Sequence, residues 1–392
     1  MKKLFILILL LPFFNLYNPN LYADVEQPNI TSETAGVIDA KTGAILYEKN
    51  AEQSMYPASL TKIATAIYAI ETGNLNDIVT ISENASAINV EGTTVFLEEG
   101  EEVSLKKLVQ GMLINSGNDA GIAIAEHLSG SVEQFADDLN KYLRTTVGVE
   151  NTHFENPHGL FSWDHQTTAL DLALITKYAL QNETFKEIFG TVTLDWKGKV
   201  WDTTIISHHK MLKGEIPYEE VVGGKTGYVD QSGHTLATYA EGDNISFIVI
   251  TMKSGSQQIA YGDTEALLDF GFENFITETF EGGTVIELKN QGFKIPDTVY
   301  YTIPKNENIE KEVTPNGMLT ITDTSHTIEN NIQLEKVQQV EQAFPMISSD
   351  QESSSSVLLP VIGVMLLFIV LYSIRIVVRK KKRQKQIYSQ YF

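Results

Sequence analysis

Tyr56-Pro57-Ala58-Ser59-Leu60-Thr61-Lys62 is the stretch on which the fold and the chemistry both turn. Its apolar continuation, Leu60, Ile63, Ala64, Ile67 and Ile70, follows helical spacing, so residues 57–71 are expected to form a helix closed by Thr72-Gly73. Residues three apart on a helix share a face, which puts Ser59 beside Lys62. A serine hydroxyl becomes a nucleophile when a base takes its proton. A lysine is such a base once burial or a neighbouring cation lowers its pKa. Ser59 also lies near the helix N-terminus, where free N–H groups and the dipole favour developing negative charge. Taken alone, Ser-x-x-Lys is common, and an ordinary helix cap with a surface lysine explains it as well.

Two later clusters change that balance. Ser116-Gly117-Asn118 falls in a tight connection between a helical stretch marked by Leu105, Leu108, Val109, Met112 and Leu113 and another at residues 119–128, ended near Gly130. Its plain explanation is a turn; its chemical one is a hydroxyl for a proton relay and an amide for a substrate amide. Lys225-Thr226-Gly227 lies in a strand-like run, 221–228. There it offers a cation, a hydroxyl and a position without a side chain, suited to a peptide ending in a carboxylate. Lys41-Thr42-Gly43 has the same three residues, but it precedes the serine and sits between strand-like halves of 35–47, as a hairpin turn would. The order of the three clusters carries the information, and the tripeptide alone does not.

The rest of the chain fits around them. Residues 168–180 and 263–275 are expected to be helices, and 234–240 and 245–252 strands joined by a turn at Glu241-Gly242-Asp243-Asn244. Helices packed on an antiparallel sheet, with strands from both ends of the domain, give an α+β layer fold. From about 276 short alternating runs (284–288, 298–303, 317–321) are expected to form a small all-β domain to residue 332, followed by a polar stalk over 333–356.

The two ends are expected to lie outside this fold. Residues 1–23 have a basic start, an apolar middle and a small residue, Ala23, where a signal peptide is cut. Residues 357–374 carry no charge, and apolar character resumes at 376–378. At about 1.5 Å per residue that length crosses a bilayer core. The basic tail 379–392 then stays cytoplasmic, which leaves the bulk of the chain outside the cell on a single membrane helix, 357–378. Between signal and anchor, 20 Lys and Arg face 50 Asp and Glu, a net charge of −30. That argues against nucleic-acid binding. The chain has no cysteine, so no disulfide supports the exported fold.

Eight histidines offer rival chemistry, but none forms a His-Glu-x-x-His pattern, and no Gly-x-Ser-x-Gly elbow is present. His158, in Asn156-Pro157-His158-Gly159-Leu160, is expected to be structural.

At this point the sequence resembles the low-molecular-mass penicillin-binding proteins that are serine-type D-alanyl-D-alanine carboxypeptidases. The residues that carry the resemblance are 56–62, Ser116-Gly117-Asn118-Asp119-Ala120, residues 154–160 with Thr167-Thr168-Ala169, and Gly224-Lys225-Thr226-Gly227. It spans about residues 33–275 and weakens in the β region. It implies a penicillin-binding/β-lactamase-like domain at 24–275 and removal of the terminal D-alanine from peptidoglycan stem peptides. In that scheme Ser59 is the nucleophile, Lys62 the general base and Ser116 a proton relay. Asn118 positions substrate, Lys225 and Thr226 hold the terminal carboxylate beside Gly227, and the N–H groups of Ser59 and Tyr228 form an oxyanion hole. β-Lactams are expected to acylate Ser59, and no metal or other cofactor is implied.

Two departures stand out. Several relatives place a carboxylate-binding arginine after the third cluster; here Arg144 is the sole arginine between signal and anchor, and Gln257-Gln258-Ile259-Ala260 lies in the corresponding region. Many relatives also end in an amphipathic helix lying on the membrane, whereas this chain is expected to span it. The alternatives are an endopeptidase or transpeptidase on the same site, a β-lactamase on the same fold, or an inactive wall-binding surface protein. No Glu-x-x-Leu-Asn segment that would supply a deacylating base follows the second cluster.

Overall fold

The computed structural model describes residues 26–288, 291–305, 309–323 and 329–337. The expected signal peptide, membrane helix and tail lie outside these residues. Among the described residues, no helix is long and apolar enough to cross a membrane.

The chain opens with β1 (Thr34–Asp39), β2 (Ile45–Lys49) and α1 (Thr61–Thr72). A short pair, β3 (Ile78–Thr80) and β4 (Glu102–Ser104), leads to α2 (Leu105–Ile114), α3 (Asn118–Ser129) and α4 (Val132–Tyr142). Then come α5 (Ala169–Ala179), α6 (Glu183–Phe189) and the hairpin β5 (Thr193–Lys197) and β6 (Asp202–Ile206). Strands β7 (Val221–Val229), β8 (Gly233–Glu241) and β9 (Ser246–Ser254) precede α7 (Gln257–Asn274). The antiparallel main sheet has the order β2-β1-β9-β8-β7, so the first two strands close onto the last three and β7 is an edge.

Burial explains why Phe247 to Ile250 in β9 are all apolar and do not alternate: both faces of the strand are covered. Ile248, Ile250 and Met252 join the core with α1, α2 and α5, while Phe247 and Val249 pack with Leu267, Leu268 and Phe270 of α7. α1 is enclosed almost all round, with Ile63, Ala64, Ala66 and Ile67 at 0 % exposure. A helix with that surrounding needs no amphipathic stripe.

The β region begins at β10 (Phe275–Phe280) and continues through β11 (Val285–Leu288), β12 (Gln291–Lys294), β13 (Val299–Pro304), β14 (Ile309–Val313), β15 (Met318–Asp323), β16 (Glu329–Gln333) and β17 (Glu335–Val337). Phe293, Ile295, Tyr301, Leu319, Ile321 and Leu334 form its own small core. The expected stalk therefore begins too early. β16 ends at Gln333, Leu334 is buried, and β17 pairs with β12, because these residues complete the small core that the polar composition disguised.

Two further expectations are corrected. The helix at 57–71 starts as a 3-10 turn, Ala58–Leu60, and becomes α-helical at Thr61. The closing helix starts six residues before 263, where Ser256 caps it by accepting from Ile259 N. The sequence reading also passed over α4, α6 and the β5–β6 hairpin.

Candidate active site

The 3-10 turn that carries Ser59 is held in a conformation a regular helix would not give. Ala58 has φ 49. Thr61 Oγ1 donates to Ala58 O at 2.9 Å, and Thr235 Oγ1 donates to Pro57 O at 3.0 Å. His165 supports the same turn. Its Nδ1 accepts from Glu155 N at 3.0 Å, so Nε2 carries the proton and donates to Thr61 Oγ1 at 2.8 Å. Gly159 closes in from the other side with φ 88, and a Cβ there would overlap the Ala58 carbonyl.

Lys62 rises from the first turn of α1 and is fully buried. Its Nζ donates to Ser59 Oγ at 3.0 Å, Asn118 Oδ1 at 2.7 Å and His158 O at 2.7 Å. Burial, and after it the charge of Lys225, pushes its pKa well below the ordinary lysine value, against a raising effect from Asp119. The geometry suits both protonation states. The cation has three donors for three acceptors; the neutral amine keeps two for Asn118 and His158 and turns its lone pair to the Ser59 hydroxyl. Such an amine can accept the serine proton without moving.

The second cluster sits between α2 and α3. Ser116 has φ 64, a strained value for a residue with a side chain, and its Oγ accepts from Lys225 Nζ at 3.0 Å. Asn118 opens α3 and donates from Nδ2 to Glu91 O at 2.7 Å, which fixes the amide so that Oδ1 meets Lys62. Asp119, whose role the sequence did not reveal, accepts from the backbone of Val95, Leu97 and Ala120 and so ties the 93–97 segment to this turn.

β7 supplies the third side. Lys225 is 3 % exposed, its Nζ also donates to Thr226 O at 2.8 Å, and burial pushes its pKa down to about 7. A Cβ on Gly227 would stand 2.8 Å from Ser59 N, so glycine lets the strand close on the serine turn. Thr226 is half-buried, and Tyr228 is exposed, with its ring against His234 and its hydroxyl donating to Asp230 Oδ1 at 3.0 Å. Behind β7, His209 fills the space a Cβ on Gly224 would need and bonds Thr238 Oγ1 through Nε2 at 2.9 Å.

Ser59, Lys62 and Asn118 thus form one hydrogen-bonded group and Ser116 with Lys225 a second, the two lysines coupled through the charge of Lys225, with Gly227 against the Ser59 turn and Thr226 and Tyr228 on the same strand. Gln257-Gln258-Ile259-Ala260 form the first turn of α7. The tripeptide at Lys41 lies elsewhere. Thr42 Oγ1 is 2.5 Å from Thr302 Oγ1, the Asp39 carboxylate accepts from Thr277 and Thr302, and the Lys41 ammonium lies 3.6 Å from the Tyr300 ring centroid. It joins the main sheet to the β region. The loop 156–160 contributes more than expected: the backbone carbonyl of His158 holds Lys62, while its imidazole Nδ1 accepts from Leu160 N. Pro-His-Gly signals a turn, but nothing local shows that the carbonyl would face a buried amine.

The D-alanyl-D-alanine carboxypeptidase family Peptidase_S11 matches residues 22–256. D-alanyl-D-alanine carboxypeptidase DacF of Bacillus subtilis is 32 % identical over 63 % of this chain, and the match spans 63 % of that protein's length. DacA of Haemophilus influenzae is 32 % identical over 76 % of this chain and 78 % of its own. Among solved structures, penicillin binding protein 5 from Haemophilus influenzae superposes with a TM-score of 0.70 at 27 % identity, covering 79 % of this chain and 98 % of that one. A family match over more than half the chain, on a fold shared with those structures, makes this protein a member of the D-alanyl-D-alanine carboxypeptidase family.

Proposed function

We propose that the protein is a serine D-alanyl-D-alanine carboxypeptidase that trims peptidoglycan stem peptides and is acylated by β-lactams. The observation that carries this is the pair of buried lysines, each donating to its own serine, Lys62 to Ser59 and Lys225 to Ser116, with β7 closed on the Ser59 turn by Gly227. Family membership and the names of the relatives agree with it.

Neutral Lys62 takes the proton of Ser59 as Oγ attacks the carbonyl of the penultimate D-alanine. The N–H groups of Ser59 and Tyr228 receive the oxyanion. The proton passes to the leaving amine, with Ser116 as the relay that Lys225 holds. Terminal D-alanine departs, and water then attacks the acyl-enzyme and restores the serine. Lys225 and Thr226 bind the terminal carboxylate; with no arginine between 145 and 374, the ammonium carries most of that charge pairing. The signal peptide at 1–23 exports the domain, and the segment 357–378 anchors it with the tail 379–392 inside, which places the site where its substrate is.

The test uses purified full-length protein with a fluorescent penicillin and a pentapeptide stem, beside Ser59→Ala. The wild type is expected to hold the label for a long time and to release D-alanine, and the variant to do neither. Rapid penicillin turnover would assign a β-lactamase instead, and a wild type that takes no label would refute the acyl-enzyme.

A further inference from the structure

Among the described residues, no strand pairs with the far rim of β7, which leaves it open to an extended peptide. A peptide lying antiparallel along it, with its C-terminal carboxylate at Lys225, runs back past Gly227, Tyr228 and Val229 toward the turn Asp230-Gln231-Ser232. That turn forms one wall of a trough of about 170 Å³ lined by Gln53, Tyr56, Gln166, Gln231, Ser232 and Lys253. Tyr56 lies three residues before Ser59, so trough and nucleophile share one segment. A strand advances about 3.3 Å per residue, so the residue just upstream of the attacked D-alanine falls beside Tyr228 and Val229, within a long side chain's reach of the trough.

The charges at the lip are specific. Lys253 Nζ lies 2.9 Å from one oxygen of Glu33, and Gln53 Nε2 donates to the other at 3.1 Å. The Lys253 backbone has φ 54, an uncommon value for a residue with a side chain, next to a slip in the β8–β9 register between His234 and Leu236. Glycine would hold that conformation without strain. A lone cation would favour a carboxylate, and a lone anion an ammonium. An ion pair beside the neutral amides of Gln53, Gln166 and Gln231 complements a group that carries both, the α-amino acid head of a diamino-dicarboxylic side chain.

Building on the carboxypeptidase reading, we propose that this trough receives the third residue of the stem peptide and selects a diamino-dicarboxylic residue, of diaminopimelate type, over lysine. Lys253 meets the distal carboxylate, and Glu33 and the amides meet the distal ammonium.

Release of D-alanine is compared for two pentapeptide stems that differ only in that third residue, using full-length wild type and Lys253→Gly. The expected kcat/KM of the wild type is about tenfold higher for the diamino-dicarboxylic stem, as one charge-assisted hydrogen bond supplies. In Lys253→Gly the preference is expected to fall to within about twofold, with no loss of Tm. Benzylpenicillin lacks that side chain and is expected to acylate both proteins at one rate. Equal use of the two stems by the wild type overturns the proposal, as does a preference that survives in the variant. A parallel loss of penicillin acylation overturns it too, because Lys253 would then act on the catalytic centre. Intact penicillin labelling with no D-alanine from either stem refutes the carboxypeptidase reading itself, and the inference with it, a pattern distinct from loss of preference alone.

Discussion

Two lysines buried within one constellation are costly, and each has a reason to stay. Lys62 must be neutral to accept a proton, so acylation is expected to be lost as pH falls through its depressed pKa, about tenfold per unit below it. Lys225 helps to depress that value. Lys225→Met removes the neighbouring charge, so the acidic limb of penicillin acylation should move to higher pH, and a rate profile across pH measures it. The same substitution should raise stability. The folded value for Lys225 is about 7 and the unfolded one about 10.4, so through that window the unfolded chain binds more protons and stability rises with pH. Below it the cost of burying the lysine is at its full value. A well-packed methionine in its place is expected to raise Tm by about 2–4 °C for each kcal/mol recovered, while kcat/KM for carboxylate-bearing stems drops. Thermal unfolding at pH 6 beside stem hydrolysis would reveal both; an unchanged Tm would mean that the ammonium is better solvated than its burial indicates.

Among the elements, the serine turn depends on two close approaches of backbone that glycine permits. Gly159 is the more demanding, since its φ of 88 and the Ala58 carbonyl both exclude a side chain. Gly159→Ala should cost several kcal/mol or displace the serine turn, seen as a lower denaturant midpoint and slower penicillin labelling. Gly227→Ala should be milder in stability and severe in rate, because its Cβ would push β7 away from Ser59 N. These contacts also mark what the sequence could show. α1, α2, α3 and α5 were legible because their apolar residues follow helical spacing, β8 and β9 because β-branched and aromatic residues concentrate there between turn residues, and the three clusters because chemistry fixes their residue types. The 3-10 start at Ala58 was hidden because its cause is tertiary: Thr235, His165 and Gly159 come from distant segments. The role of Asp119 was not legible, since a carboxylate that accepts from the Val95 and Leu97 backbone looks like any acid in a helix's first turn. α4 was missed although Phe135, Ala136, Leu139 and Tyr142 are buried along one of its faces; the exposed Glu133, Gln134, Asp137 and Lys141 interleave with them and make the segment read as polar.

The tripeptide at Lys41 has a task of its own. Asp39, Thr42 and Lys41 grip Thr277, Thr302 and Tyr300, so a hairpin of the main sheet is fastened to β10 and β13. Asp39→Ala should loosen that junction by about 1–3 kcal/mol. Calorimetry is expected to show the β region unfolding ahead of the main domain, with penicillin acylation unchanged; a single unaltered transition would show that the apolar contacts suffice. The edge position of β7 reaches further. An occupied site is a sheet with one more strand, and the alternate amides of β7 that face away from β8 then gain partners. Hydrogen–deuterium exchange at those amides should slow once Ser59 is acylated by a β-lactam and recover as the acyl group is lost, so isotope uptake along a single strand would time the covalent cycle.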